Sequence, residues 1–164
     1  MRFSALAVAV SAVALMACGG GDKTNVADTG ASTATPDASA GAPTAGAVAA
    51  LPITGTTHEV RMLGDEKGYR YEPAELTIKQ GDGIKFIMVS GAPHNVAFDA
   101  TIPEAGKAQL NANIPDKMGD MSSKMVMQPN EEILISFAGV APGKYDFNCT
   151  PHLAMNMRGS VTVQ

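Results

Sequence analysis

The sequence predicts an all-β fold, a Greek-key β-sandwich over residues 56–164 that follows a flexible N-terminal tether, and two contrasts in texture carry that expectation. From about Thr56 onward, short runs alternate apolar with polar residues and are broken by Gly, Pro, Asn or Asp. That is the period-two pattern of half-buried strands separated by turns. From Gly19 to about Gly55 the chain is almost entirely Gly, Ala, Ser, Thr, Pro and Asp, with no aromatic residue and no apolar periodicity. Such a segment cannot bury enough apolar surface to offset the entropy of ordering, so it is expected to be disordered.

Strands are expected at Glu59–Leu63, Ala74–Lys79, Ile84–Val89, Asn95–Phe98, Lys124–Met127, Ile133–Phe137, Tyr145–Asn148 and Ser160–Val163. Gln80-Gly81-Asp82-Gly83 and Ala141-Pro142-Gly143-Lys144 carry the residues that tight turns demand. Spacing of this kind suits a Greek-key sandwich. The stretch from Asp99 to about Ser123 lacks clean alternation and is expected to hold a short helix or an irregular excursion.

At 164 residues the chain has room for one ordinary domain plus extensions. Its net charge of −4, with no basic run, argues against nucleic-acid binding, which needs cations to neutralise phosphates. Met1-Arg2-Phe3 and the apolar stretch to Met16 have the charged start and short greasy middle of an export signal, too short for a membrane span. The stretch ends in Leu15-Met16-Ala17-Cys18, which resembles the lipobox of bacterial lipoproteins. That resemblance implies a signal peptide over 1–17, lipid on Cys18, a linker over 18–55 and a domain over 56–164 held at a bacterial membrane, facing the periplasm or cell surface. With Cys18 lipidated, the other cysteine, Cys149, has no disulfide partner. A bound metal is the natural occupant of a lone thiol in an oxidising compartment.

The segment Cys149-Thr150-Pro151-His152-Leu153-Ala154-Met155-Asn156-Met157 places a thiolate, an imidazole and two thioethers in one loop between expected strands. One Cys and two His in a trigonal set, with a weak and long axial Met, is the donor set of blue-copper electron-transfer sites. The second imidazole must come from His58 or His94. His58 sits in an expected first strand and reads as a surface residue. His94, in Gly91-Ala92-Pro93-His94-Asn95-Val96-Ala97-Phe98-Asp99, follows a tight turn at a strand entry, a rigid place for a ligand. Either Met155 or Met157 could be the axial donor.

Pro93-His94-Asn95-Val96, with Phe98-Asp99 beyond it, and Cys149-Thr150-Pro151-His152 followed by Met157 and Gly159-Ser160-Val161-Thr162-Val163 resemble the plastocyanin and pseudoazurin branch of the cupredoxins. The likeness covers nearly all of residues 56–164. It implies the fold, one type 1 copper ion held by His94, Cys149, His152 and Met157, and an electron-transfer role between redox protein partners, as a monomer. It favours Met157 over Met155, because strand entry at Arg158-Gly159 typically comes straight after the axial ligand. It also implies that Asn95 ties the two ligand loops together, with Thr150 and Pro151 supporting the ligands. Ala92, Pro93 and Leu153 would surround the edge of His152 as an apolar docking patch. One departure stands out: plant members have Tyr before the copper Cys, with acidic clusters around it, where this chain has Asn148 and no acidic run.

Two other functions compete. A copper enzyme would need more histidines, and the chain has three in all. A copper carrier of the same fold could use Met118, Met121, Met125 and Met127 as Cu(I) thioether ligands. Alternation places Met125 and Met127 on the core side of a strand, where they would be packing residues.

Overall fold

The computed structural model describes residues 48–164. The expected signal peptide, Cys18 and most of the expected linker lie outside the described residues. In chain order the elements are β1 (Thr57–Asp65), β2 (Gly68–Glu72), β3 (Glu75–Ile78), β4 (Gly83–Met88), β5 (Ala97–Phe98), α1 (Glu104–Asn113), β6 (Glu132–Ser136), β7 (Gly143–Asn148) and β8 (Arg158–Val163). A short 3-10 segment, Thr150–Met155, separates β7 from β8. The strands form two four-stranded sheets, β2-β1-β4-β6 and β3-β8-β7-β5.

Alternation does the sorting between faces. In β4, Ile84, Phe86 and Met88 are buried while Lys85 and Ile87 are partly exposed. In β7, Tyr145 and Phe147 point inward between Lys144, Asp146 and Asn148. These side chains meet Val60, Met62, Ile133, Ile135, Val161 and Val163 in one core. At its centre the rings of Tyr71, Phe86, Phe98 and Phe147 pack edge to face. Full burial of each large apolar side chain contributes about 1.5–3 kcal/mol.

Three local expectations need correction. β2 was not anticipated. It pairs with β1 through the turn Glu66-Lys67, with Asp65 opposite Gly68, and Gly68 takes a positive φ of 95° that suits glycine. Lys124–Met127 is not a strand: one bridge joins Val126 to His94. Val126 is therefore the buried residue of that stretch, whereas Met125 is half-buried and Met127 is 54% exposed. The expected strand Asn95–Phe98 shrinks to two residues, because the polar groups of Asn95 bond to other loops. The irregular stretch that follows holds a ten-residue helix, α1.

The sandwich has two distinct poles. β1 and β4 run parallel, from Thr57 opposite Gly83 to Met62 opposite Met88. At the starting pole, the Asp82 carboxylate accepts hydrogen bonds from Thr56 N–H (2.8 Å), Lys79 N–H (3.0 Å) and His58 Nε2 (2.9 Å). Those contacts, the Lys79 N–H first and then His58, lower its pKa from 3.8 to about 2. His58, expected on the surface, is half-buried in this contact. The incoming chain is held at the same pole: Leu51 N–H donates to Asn113 Oδ1 at 2.8 Å, and Gln109 donates to the Ala49 carbonyl at 2.9 Å. Asn113 in turn donates to the carbonyls of Ser136 and Ala138, both at 2.9 Å. The opposite pole carries the loop Ser90–Pro93 and the Cys149–Met157 segment.

Candidate metal centre

His94 and Cys149 come from different parts of the chain and meet at the second pole. His94 is fixed by reciprocal backbone bonds with Val126, 3.0 and 2.8 Å long. The Cys149–Met157 segment is tied to itself: Cys149 N–H donates to the Met157 carbonyl (3.1 Å), His152 N–H to the Cys149 carbonyl (3.0 Å) and Met157 N–H to the His152 carbonyl (3.2 Å). Asn156 closes the turn with a left-handed backbone, φ 62°, which Asn tolerates better than most residues.

The ligand atoms of His94, Cys149 and His152 lie within 4.8 Å of one another, and all three residues are buried. Cys149 Sγ is 3.6 Å from His94 Nδ1 and 3.4 Å from His152 Nδ1. Metal–nitrogen and metal–sulfur bonds of about 2.0 and 2.3 Å at trigonal angles would separate N from S by ~3.7 Å. The observed spacing thus fits three bonds to one ion. His94 Nε2 donates to the Ser90 carbonyl at 2.8 Å, and a carbonyl can only accept. Nδ1 is then the unprotonated nitrogen, turned to the sulfur, as a metal ligand must be.

Electrostatics keep the three groups neutral. Burial lowers the pKa of His94 against an opposing pull from the Ser90 carbonyl. Burial and then the neighbouring His94 lower that of His152. Burial raises the Cys149 thiol, and the backbone amides of Asn95 and His152 partly reverse this. A cation held here would bind the Nδ1 lone pair of His94, an imidazole nitrogen of His152 and the sulfur of Cys149, which would give up its proton. Soft sulfur and borderline imidazole suit copper in both valences, so the residues fit one type 1 copper ion.

Of the two methionines in the loop, Met157 is fully buried and Met155 is 47% exposed. Asn95 Oδ1 accepts from Thr150 N–H at 2.8 Å, while its Nδ2 donates to Thr150 Oγ1 (3.2 Å) and Ser122 Oγ (3.1 Å). Pro151 lies in the first turn of the 3-10 segment, half-buried. Ala92 and Leu153 are exposed and Pro93 is half-buried. Asn148 donates to Asp99 at 2.6 Å, and Arg158 approaches the same carboxylate. Met118 is exposed and Met121 buried, so with Met125 and Met127 they divide between interior and solvent instead of forming one thioether stripe.

Sequence reasoning missed Tyr69 and Ser90. The Tyr69 ring lies on His152 with centroids 3.7 Å apart and planes 19° from parallel. It also meets His94 edge to face at 6.2 Å. Two glycines make room for it: a Cβ on Gly64 would come within 2.6 Å of the Tyr69 ring, and one on Gly91 within 3.0 Å. The signal was present in Gly68-Tyr69-Arg70-Tyr71, an alternating aromatic pair after a turn glycine.

Comparison with known proteins agrees with this centre. The family described as copper binding proteins, plastocyanin/azurin family, matches residues 58–164. Plastocyanin of Synechococcus sp. (strain JA-2-3B'a(2-13)) is 35% identical over 112 residues, covering 68% of this chain and 76% of that protein. Plastocyanin of Nostoc punctiforme is 37% identical over 110 residues, covering 66% of this chain and 74% of that protein. The oxidised plastocyanin of Dryopteris crassirhizoma superposes with a TM-score of 0.52 at 29% identity, covering 65% of this chain and all of that one. Fold, donor set and sequence converge: the chain belongs to the plastocyanin/azurin family of copper-binding cupredoxins.

Proposed function

We propose that this protein is a single-electron carrier whose copper is held by His94, Cys149 and His152, with Met157 as the weak axial donor. The observation that carries the reading is the buried convergence of three ligand atoms within 4.8 Å. Bound there, copper supplies a one-electron change between Cu(I) and Cu(II). The chain's own residues supply the rest. Cys149 gives up its proton and binds as thiolate. Ser90 fixes the tautomer of His94, and Asn95 locks the Cys149 loop to the strand entry. The ligands come from backbone already held by hydrogen bonds, which keeps them in place when the charge changes.

Electrons would pass to redox protein partners at the second pole, where exposed Ala92 and Leu153 with Pro93 form an apolar face beside His152. Asn148 is engaged with Asp99 and offers no exposed aromatic ring, which favours that face over a plant-type second one. We further propose that the protein is exported and anchored by lipid on Cys18, a reading supported by the N-terminal sequence pattern, and that it acts as a monomer. Among the described residues no helix is long and apolar enough to cross a membrane.

The test is absorption spectroscopy of the full chain loaded with copper and oxidised. An intense blue thiolate-to-copper band is expected, absent in Cys149→Ser. A wild-type protein that binds copper without that band would overturn the reading.

A further inference from the structure

Methionine sulfur is distributed unevenly between interior and solvent. Met62, Met88, Met121 and Met157 are buried, whereas Met118, Met127 and Met155 are 64%, 54% and 47% exposed. Two of these three exposed thioethers belong to the metal-binding pole. Met127 follows Val126, which exchanges both backbone hydrogen bonds with His94. Met155 ends the 3-10 segment that carries His152. Met118 lies elsewhere. The chain before Val126 runs antiparallel to the residues after His94, pairing Ser122 with Ala97, and Phe98 N–H donates to the Met121 carbonyl at 2.9 Å. Met118 is beyond that far end, next to Lys117, whose ammonium bonds to the Asn111 carbonyl of α1 at 2.9 Å.

A thioether in contact with solvent takes one oxygen atom from hydrogen peroxide. The sulfur lone pair attacks the O–O bond, an S–O bond forms and water leaves; sulfur is oxidised by two electrons and the peroxide reduced by two. The product is a polar sulfoxide where an apolar, adaptable side chain stood. Access decides which sulfur reacts. Met157 and Cys149 are fully buried in backbone closed by its own hydrogen bonds, so Met127 and Met155 meet the oxidant first. Leucine supplies similar apolar area without a reactive sulfur, as Leu153 does in the same loop, so apolar contact alone does not require methionine at these places. We propose that Met127 and Met155 form a peroxide-responsive modification site on the electron-transfer face, where conversion to sulfoxide slows electron exchange and leaves the metal centre unaltered.

This rests on the blue-copper reading above and adds regulation to the face beside His152. Electrons cross while two apolar faces are in contact, and a sulfoxide oxygen at either position must then leave water without gaining a partner. The encounter weakens. The ligands themselves are untouched, because neither sulfur is among the donors His94, Cys149, His152 and Met157. Sulfoxide reductases return the thioether, so the change is reversible.

The test treats the copper-loaded, oxidised full chain with limiting hydrogen peroxide, which catalase removes before measurement. Peptide mass mapping locates the added oxygen. Electron self-exchange in partly reduced samples, followed by nuclear magnetic resonance, makes a second copy of the protein the probe partner. Oxygen is expected on Met118, Met127 and Met155 ahead of Met62, Met88 and Met157, with the blue band and reduction potential unchanged. Burying one unmatched polar group should lower the self-exchange rate constant about tenfold, and sulfoxide reductases should restore it. Variants are each compared with their own untreated sample: Met127→Leu with Met155→Leu should lose the peroxide effect, and Met118→Leu should keep it. Oxygen on Met157 before Met127 and Met155, no oxygen on those two, unslowed exchange with both sulfoxides present, or slowing that persists in the double variant would each overturn the proposal. A wild-type protein with no blue band before treatment would refute the function instead, so the two failures are distinguishable.

Discussion

Tyr69→Ala tests whether the ring lying on His152 holds that ligand in place before any metal arrives. A well-buried aromatic side chain covers roughly 150–250 Å². Tyr69 is half-buried, so truncation gives up about 100 Å² of apolar contact, or ~2.5 kcal/mol. The face-on stack adds about 0.5–1.5 kcal/mol beyond area. Against this, the Cys149–Met157 segment keeps its own hydrogen bonds and relaxes into part of the space, bringing the expected loss to about 2–3 kcal/mol. Urea unfolding of the metal-free full chain measures it. Tyr69→Phe, which keeps the ring, should fall within about 0.5 kcal/mol of wild type. If the alanine variant is as stable as wild type, or the phenylalanine variant as damaged as the alanine one, the stack does not support the ligand.

Met157→Ala should cost about 2–5 kcal/mol as a buried truncation and move the reduction potential with copper still bound, while Met155→Ala, at an exposed position, should change neither; denaturation and voltammetry of the two variants decide which sulfur is axial. Asp82→Asn addresses the other pole. The folded pKa of Asp82 is depressed from 3.8 to about 2, so its contribution is present above pH 4 and lost as pH falls through 2. The shift corresponds to ~2.4 kcal/mol at most, and solvent screening at this peripheral site reduces it to about 1 kcal/mol. Unfolding free energies from pH 6 down to pH 2 should show the Asn variant about 1 kcal/mol weaker at pH 6 and level with wild type at the acid end; a constant difference across the range would contradict the assignment.

The donor residues could be named from the sequence because chemistry restricts them: a single Cys within residues 56–164, one His three residues after it, and a second His at a turn-bounded strand entry leave few arrangements. The supporting contacts could not. Ser90 contributes a carbonyl, a group every residue has, and nothing in Val89-Ser90-Gly91 marks it. Tyr69 and Tyr71 alternate plainly, but Glu66-Lys67 and Arg70 make the segment look like a charged loop until β1 is seen to need an edge partner. Met125 and Met127 misled for the opposite reason. Their spacing imitates a strand, yet the one bridge at Val126 turns the side-chain direction so that the intervening valine takes the interior.

Because the incoming chain is fastened beside Asp82 and Asn113, while His94 and His152 lie where β1 ends, the point of attachment and the metal site stand about 23 Å apart along the seven residue-to-residue rises from Thr57 to Gly64. Any surface bonded to the chain ahead of Val48, an electrode or a resin included, therefore grips the domain by its far end. The proposed redox face is left turned outward to whatever diffuses past, and an immobilised sample should answer soluble electron donors as readily as a free one.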